Sequence, residues 1–257
     1  MTTTDMPVAA REALAKVPQV TLVFWLIKIA ATTLGETGGD AVSMSMGLGY
    51  LLGTAIFGVV FALAVYAQIR ARKFHPLLYW FTIIASTTVG TTLADFDDRS
   101  LGIGYAGGSS LLLLLLLGSL FAWHRSMGSI AVETVAEPKA EMFYWLTIMC
   151  SQTLGTALGD WVADTAGLGY VGGMIIFGSL LAVTSALYFW SSISRTLLFW
   201  AAFVLTRPLG AVLGDYLDKP LANGGLALSR YSASVVLLVA IVGMILVFKQ
   251  RAATRAH

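Results

Sequence analysis

Four aspartates recur at one position of a repeated sequence pattern, and their carboxylates are the groups in this chain best suited to chemistry. Each lies five residues after a glycine and fifteen after a tryptophan: Asp40, Asp95, Asp160 and Asp215. Carboxylates, with nearby threonine hydroxyls and backbone carbonyls, form a hard oxygen donor set that suits Mg²⁺, Mn²⁺ or Ca²⁺ better than Cu(I). The pattern therefore predicts that these four aspartates are metal ligands.

Further carboxylates accompany the repeated aspartates. In the last three copies another aspartate follows by three or four residues, which places it on the same helix face if the helix continues. The first copy has Ser43 there but supplies Glu36 one turn earlier. We expect an acidic vestibule that attracts cations, with these ion-binding or pathway residues: Glu36, Asp40, Asp95, Asp98, Asp160, Asp164, Asp215 and Asp218.

The same aspartates also have a purely structural interpretation. An aspartate at a helix end often caps the next helix or pairs with a neighbouring cation, here Arg99 or Lys219. Four carboxylates in register weaken this interpretation, although a repeat also copies structural caps. Both interpretations stay open at the level of the sequence.

The aspartates belong to four tandem copies of one longer pattern. FWLIKIAATTLGETGGD at 24–40 recurs as YWFTIIASTTVGTTLAD at 79–95, YWLTIMCSQTLGTALGD at 144–160 and FWAAFVLTRPLGAVLGD at 199–215. We predict a packing role for the repeated aromatic and small residues: Trp25, Trp80, Trp145, Trp200, Gly35, Gly90, Gly155 and Gly210. An alternative at Gly35–Gly39 is an unwound helix whose exposed carbonyls contact an ion.

Each repeat contains two apolar segments, in a chain that is 57% hydrophobic and 12% charged. We predict an all-α polytopic membrane protein whose eight transmembrane helices span 19–37, 48–69, 77–95, 102–123, 142–160, 168–190, 196–215 and 225–248. The predicted organisation is a cytoplasmic segment at 1–16, a membrane half at 17–125 (repeats 17–73 and 74–125), a cytoplasmic linker at 126–141, a second half at 142–248 (repeats 142–193 and 194–248) and a cytoplasmic tail at 249–257.

The basic residues predict the orientation. Eleven of the 16 lie before the first span, after the even-numbered spans or beyond the last one, whereas three lie on the opposite side. The positive-inside rule then places both termini in the cytoplasm, in a bacterial inner membrane. Two spans per repeat make the four repeats parallel, related by a pseudo-fourfold or pseudo-twofold axis along the membrane normal.

Two charges fall inside apolar runs, where insertion is costly. Lys28 is near enough to the cytoplasmic end of its span to snorkel to the interface. Arg207 is deeper and precedes Pro208, and it cannot give up its proton. We therefore expect a buried acidic partner for Arg207 from another repeat.

These features resemble a bacterial membrane-protein family made of four tandem two-helix repeats of unknown function, each repeat with a characteristic tryptophan. The resemblance extends from about Val17 to Phe248. It implies the same membrane architecture and no particular activity, so the functional hypothesis depends on the residues themselves.

The residues favour secondary transport of a small cation, most plausibly a divalent metal such as Mn²⁺ or Mg²⁺. The alternatives are a passive cation channel with an acidic mouth and a non-transporting membrane scaffold or sensor. The chain has neither an H-E-x-x-H zinc motif nor a Walker A motif, so we do not expect an enzyme. The expected partners are the lipid bilayer and the cation, with no nucleic acid, and a homo-oligomer is left open. No cofactor is expected beyond a divalent cation.

Overall fold

The computed structural model describes residues 15–102 and 104–253, and its architecture is all-helical. Most of the predicted segment 1–16 and the end of the tail, 254–257, lie outside the described residues. The eight long helices are α1 Leu22–Asp40, α2 Gly49–Arg70, α3 Pro76–Asp95, α4 Tyr105–Met127, α5 Pro138–Asp160, α6 Gly169–Trp190, α7 Arg195–Asp218 and α8 Arg230–Val247. The prediction of eight helices in four pairs is confirmed, with ends shifted by no more than five residues.

The odd-numbered helices form a closed ring. Helix α1 packs against α3, α3 against α5, α5 against α7, and α7 against α1. Contacts advance in the same direction along both helices of a pair: Gly35 of α1 lies against Thr87 of α3, and Gly39, one turn on, lies against Thr91. Neighbouring ring helices therefore run parallel, and the cyclic contacts follow a pseudo-fourfold axis.

The repeated glycines allow the ring helices to approach closely. A β-carbon at any of them would overlap a side chain of the neighbouring helix; the pairs are Gly35–Thr87, Gly90–Gln152, Gly155–Arg207 and Gly210–Thr32. Threonine hydroxyls donate across the same interfaces, from Thr87 to the Ala31 carbonyl at 3.2 Å and from Thr32 to the Thr206 carbonyl at 3.1 Å. The predicted packing role is confirmed, as in other small-residue helix interfaces.

The even-numbered helices lie outside the ring, each against the first helix of the next repeat. Helix α2 packs on α3, α4 on α5 and α6 on α7, and α8 completes the circle by packing on α1. The two chain ends meet beneath this closure, where Pro18 and Ala252 form an antiparallel bridge. Each repeat therefore contributes its outer helix to the surface of the next repeat.

Three of the ring helices continue past the repeated aspartate as one π-helical turn, at Ala41–Ser45, Phe96–Ser100 and Trp161–Thr165. A short glycine-containing stretch follows each turn, GLGY at 47–50 and 167–170 and GIGY at 102–105. Both glycines of each stretch have positive φ, for example 68° at Gly47 and 76° at Gly49. These left-handed positions favour glycine and reverse the chain into the outer helix. The unwinding considered at Gly35–Gly39 does not occur, because α1 is continuous to Asp40.

At the opposite end of the ring the repeated aromatic residues form a compact cluster. Trp80, Trp145 and Trp200 are buried, and the Trp200 indole donates to the Ile130 carbonyl at 3.0 Å. The hydroxyls of Tyr79 and Tyr144 lie 2.6 Å apart within this cluster. The tryptophans therefore pack the ring, as predicted.

Six of the eight helices are long and apolar enough to cross a membrane by length and composition: α2, α4, α6, α7, α8 and α3 with its π-turn, Pro76–Ser100. Large apolar side chains are exposed along the outer helices, such as Leu114 on α4 and Val236 on α8. Helices α1 and α5 do not meet the same criterion, and both belong to the inner ring. The linker predicted at 126–141 is shorter, since α4 extends to Met127 and α5 starts at Pro138.

Candidate functional site

The parallel ring brings the four repeated aspartates to one end of the molecule, where two cations divide them into pairs. The Lys219 ammonium contacts Asp40 and lies 3.0 Å from Asp215 Oδ1. The Arg99 guanidinium lies 2.9 Å from Asp95 and 3.5 Å from Asp160. Each cation therefore joins aspartates from two neighbouring ring helices.

Local helical spacing explains why these cations meet the aspartates. Arg99 and Lys219 each follow the aspartate of their own repeat by four residues, so the side chains lie on one face. Burial acts to lower the pKa of Lys219, but the carboxylates of Asp215, Asp40 and Asp218 raise it above its ordinary value. Lys219 is therefore charged at neutral pH.

The repeated aspartates are buried, none more than 4% exposed, and do not line an open vestibule as the sequence suggested. Nor do they form one four-ligand site. Within the described part of the chain, the only group of three carboxylates with oxygens within 4.8 Å of one another is Asp40, Asp215 and Asp218. The four predicted ligands are therefore not equivalent in their surroundings, because Arg99 joins Asp95 and Asp160 into a pair of their own, and metal binding by them stays a prediction.

The accompanying aspartates have three different environments. Asp218 is buried and lies 3.2 Å from Arg230, which also lies 3.7 Å from Asp40. Asp98 is buried beside Gly108 of α4, and neither of its oxygens has a hydrogen-bond partner among the described residues. Asp164 is exposed on its π-turn and stays apart from the carboxylate cluster. Asp164 occupies the position of Arg99 and Lys219 in its repeat, but it carries the same charge as Asp160 and forms no ion pair among the described residues.

One layer deeper, the ring contains a buried ion pair between the first and last repeats. Arg207 Nη2 lies 2.9 Å from Glu36 Oε2 and 2.6 Å from Thr91 Oγ1, and it also contacts Thr156 Oγ1. The guanidinium is fully buried and the Glu36 side chain is 3% exposed. The prediction of a buried acidic partner for Arg207 from another repeat is confirmed, whereas Glu36 belongs to this deeper layer and not to the aspartate end.

Lys28 lies on α1 about two helical turns before Glu36. Its side chain is fully buried, and its ammonium lies 4.2 Å from the centre of the Phe203 ring, a cation–π contact. It finds no hydrogen-bond partner within 15–102 and 104–253. The snorkelling considered for Lys28 is therefore wrong, because the side chain is directed into the ring.

Sequence reasoning missed several residues of this core. Thr91 and Thr156 contact Arg207 because they occupy the position directly after the repeated glycine, the same position that holds Glu36 in the first repeat. That equivalence was available from the repeat alignment. Arg230 gave no such signal, since α8 meets α1 only through the closure of the ring.

A separate groove of about 420 Å³ lies between α1, α6 and α7 at the aromatic end. Its lining is mostly apolar, with Trp25 and Phe199 on one side and Arg195 near its edge. None of the carboxylates described above lines it. The charged core and this groove are therefore distinct features.

Comparison with known protein families agrees with the repeat structure. The family model described as Repeat of Unknown Function (DUF347) matches residues 23–74, 78–129, 143–194 and 198–252. The chain belongs to the DUF347 repeat family. Each matched unit contains one ring helix and one outer helix. Searches of curated proteins and of solved structures give no match.

Proposed function

We propose that this DUF347 protein is a bacterial inner-membrane secondary transporter of a small cation, most plausibly a divalent metal such as Mn²⁺ or Mg²⁺. The observation that carries the proposal is an excess of buried acid at one end of the ring. Six buried carboxylates there, Asp40, Asp95, Asp98, Asp160, Asp215 and Asp218, face three cations, Arg99, Lys219 and Arg230. Buried carboxylates that are ionised require pairing or coordination of a cation.

The axis of the ring supports a transporter better than a continuously open channel. Below the aspartates, the Glu36–Arg207 pair and its threonine partners fill one layer. At the other end, the hydroxyls of Tyr79 and Tyr144 hydrogen-bond between the neighbouring helices α3 and α5, within the buried aromatic cluster. A cation crossing this path requires the layers to rearrange, which is the behaviour of alternating access.

In this proposal both chain ends face the cytoplasm and the aspartate end faces outwards. The distribution of basic residues supports that orientation. The exposed apolar side chains of the outer helices support contact with lipid around the ring. The protein then moves its substrate without chemical conversion, as a carrier and not as an enzyme.

Reconstitution into liposomes tests the proposal directly. Mn²⁺ entering vesicles loaded with a quenchable dye is measured with and without a pH gradient. We expect influx that depends on the gradient and is lost when a protonophore is added. Flux that does not depend on the pH gradient would support the channel alternative. Absence of Mn²⁺, Mg²⁺ and Ca²⁺ flux through folded protein would overturn transport.

Single carboxylate substitutions then test the route. Asp160→Asn and Asp215→Asn each remove one charge at nearly constant volume and should lower the flux. If the aspartates serve only as caps, asparagine should work nearly as well, because Asn and Asp cap helices comparably. Asp164→Asn is the matched control: this aspartate is exposed and outside the cluster, so the flux should not change.

A further inference from the structure

The carboxylate cluster between the first and last repeats already contains a cation supplied by the chain itself. Asp40, Asp215 and Asp218 each place an oxygen within 4.8 Å of the others. The Lys219 ammonium contacts Asp40 and Asp215, and Arg230 contacts Asp218. Asp40 Oδ1 and Asp218 Oδ1 remain buried without a hydrogen-bond partner in the described part of the chain, on side chains 1% and 0% exposed.

We propose that the Lys219 ammonium occupies the position of a divalent cation, and that Mn²⁺ or Mg²⁺ binds Asp40, Asp215 and Asp218 by displacing it. The inference rests on the proposed transport function and names the site at which the ion is first held. Three carboxylates offer enough oxygens for either metal, with water completing the coordination shell.

Charge balance favours a divalent ion over a monovalent one. In their ionised forms the three carboxylates carry three negative charges, and the Lys219 and Arg230 that they contact carry two positive ones, so the ionised cluster keeps one negative charge. Replacing the ammonium by a divalent ion makes the cluster neutral. Replacing the ammonium by Na⁺ or K⁺ leaves the net charge of the cluster unchanged, so a monovalent ion has no electrostatic advantage over Lys219.

The position of Lys219 suits displacement. It directly follows the last residue of α7, and its backbone is held by the bonds from its N–H to the Asp215 carbonyl and from the Ala227 N–H to its own carbonyl, both 2.9 Å. The side chain is 11% exposed, so its flexible stem can carry the ammonium to solvent while the backbone stays in place.

The other aspartate pair provides a control within the same molecule. Arg99 joins Asp95 and Asp160 much as Lys219 joins Asp40 and Asp215. No third carboxylate oxygen approaches that pair to within 4.8 Å of both in the described residues. Removing Arg99 should therefore expose only two carboxylates and create a much poorer metal site.

The first experiment measures Mn²⁺ binding to purified full-length protein, from the loss of the free Mn²⁺ electron paramagnetic resonance signal. Lys219→Met should bind Mn²⁺ about tenfold more tightly than the unmodified protein, a gain of about 1.4 kcal/mol. Adding Asp218→Asn should reverse the gain, and Arg99→Met should produce none. Folded Lys219→Met with unimproved affinity, or an equal gain in Arg99→Met, overturns the inference.

The second experiment needs no substitution and therefore does not depend on the folding of a variant. Acetylation of Lys219 by a succinimidyl ester is followed by mass spectrometry as Mn²⁺ is added to the unmodified protein. Displacement predicts faster modification of Lys219 with Mn²⁺, and not with K⁺ at equal ionic strength. An unchanged rate at saturating Mn²⁺ overturns the inference, whereas loss of vesicle flux with this response intact overturns only transport.

Discussion

Replacing Arg207 by leucine should destabilise the protein more than any exposed substitution. The change leaves Glu36 buried without its cation, and it removes the donor that also contacts Thr91 and Thr156. Breaking a buried ion pair by removing one partner costs about 3–5 kcal/mol of unfolding free energy. We expect a loss in that range here, because both side chains are buried. Arg207→Lys keeps the charge and should cost less.

The measurement is the free energy of unfolding in detergent micelles, from denaturant titration followed by tryptophan fluorescence. Glu36→Gln should also be destabilising, because it leaves Arg207 without a counter-ion. The double variant Arg207→Leu/Glu36→Gln removes both charges and should lose clearly less than the sum of the single losses. Arg72→Leu, an exposed control, should change stability by no more than about 0.5 kcal/mol.

Two results would refute this reasoning. Arg207→Leu with unchanged stability would mean that the pair with Glu36 contributes nothing in the folded protein. Single losses that add to within about 0.5 kcal/mol in the double variant would mean that the two residues act independently.

Three further predictions follow from the same ring. In a Cys150→Ala background, a membrane-impermeant maleimide added to intact cells should label Asp164→Cys and not Lys139→Cys, both exposed positions; the reverse pattern contradicts the proposed orientation. Gly35→Val should prevent α1 from approaching Thr87 and should lower the melting temperature sharply, whereas a normal melting temperature would deny the close contact. Tyr144→Phe should cost about 0.5–1.5 kcal/mol of unfolding free energy through its lost buried hydrogen bond, so an unfolding titration that superimposes on the parent curve would deny that bond.

The repeat pattern predicted most features of the fold. Fixed spacing of Trp, Gly and Asp over four copies predicted paired helices, parallel repeats and a shared depth for the aspartates, because duplicated sequence folds into duplicated structure. The need of Arg207 for a buried acid was also predictable, since a guanidinium stays charged at any depth. These inferences require only the spacing of the repeat and the chemistry of individual side chains.

The pairing between repeats was not predictable in the same way. Lys219 reaches Asp40 across the interface of α7 and α1, and that neighbourhood exists only after the ring closes. Asp164 is exposed, whereas Arg99 at the equivalent position of its own π-helical turn is drawn to Asp95 and Asp160, and the repeat pattern does not distinguish these two outcomes. Lys28 is similar, since its partner Phe203 comes from the far end of the chain.

The closure of α7 and α8 onto α1 also dictates the order in which charges are neutralised during synthesis. Helix α1 leaves the ribosome with Lys28, Glu36 and Asp40, while Arg207 and Lys219 are made more than 160 residues later. If the chain is inserted into a membrane as proposed, α1 carries these charges without their partners until then, which is costly in an apolar environment. In the proposed membrane topology we therefore expect release of α1 from the insertion machinery to await synthesis of α7.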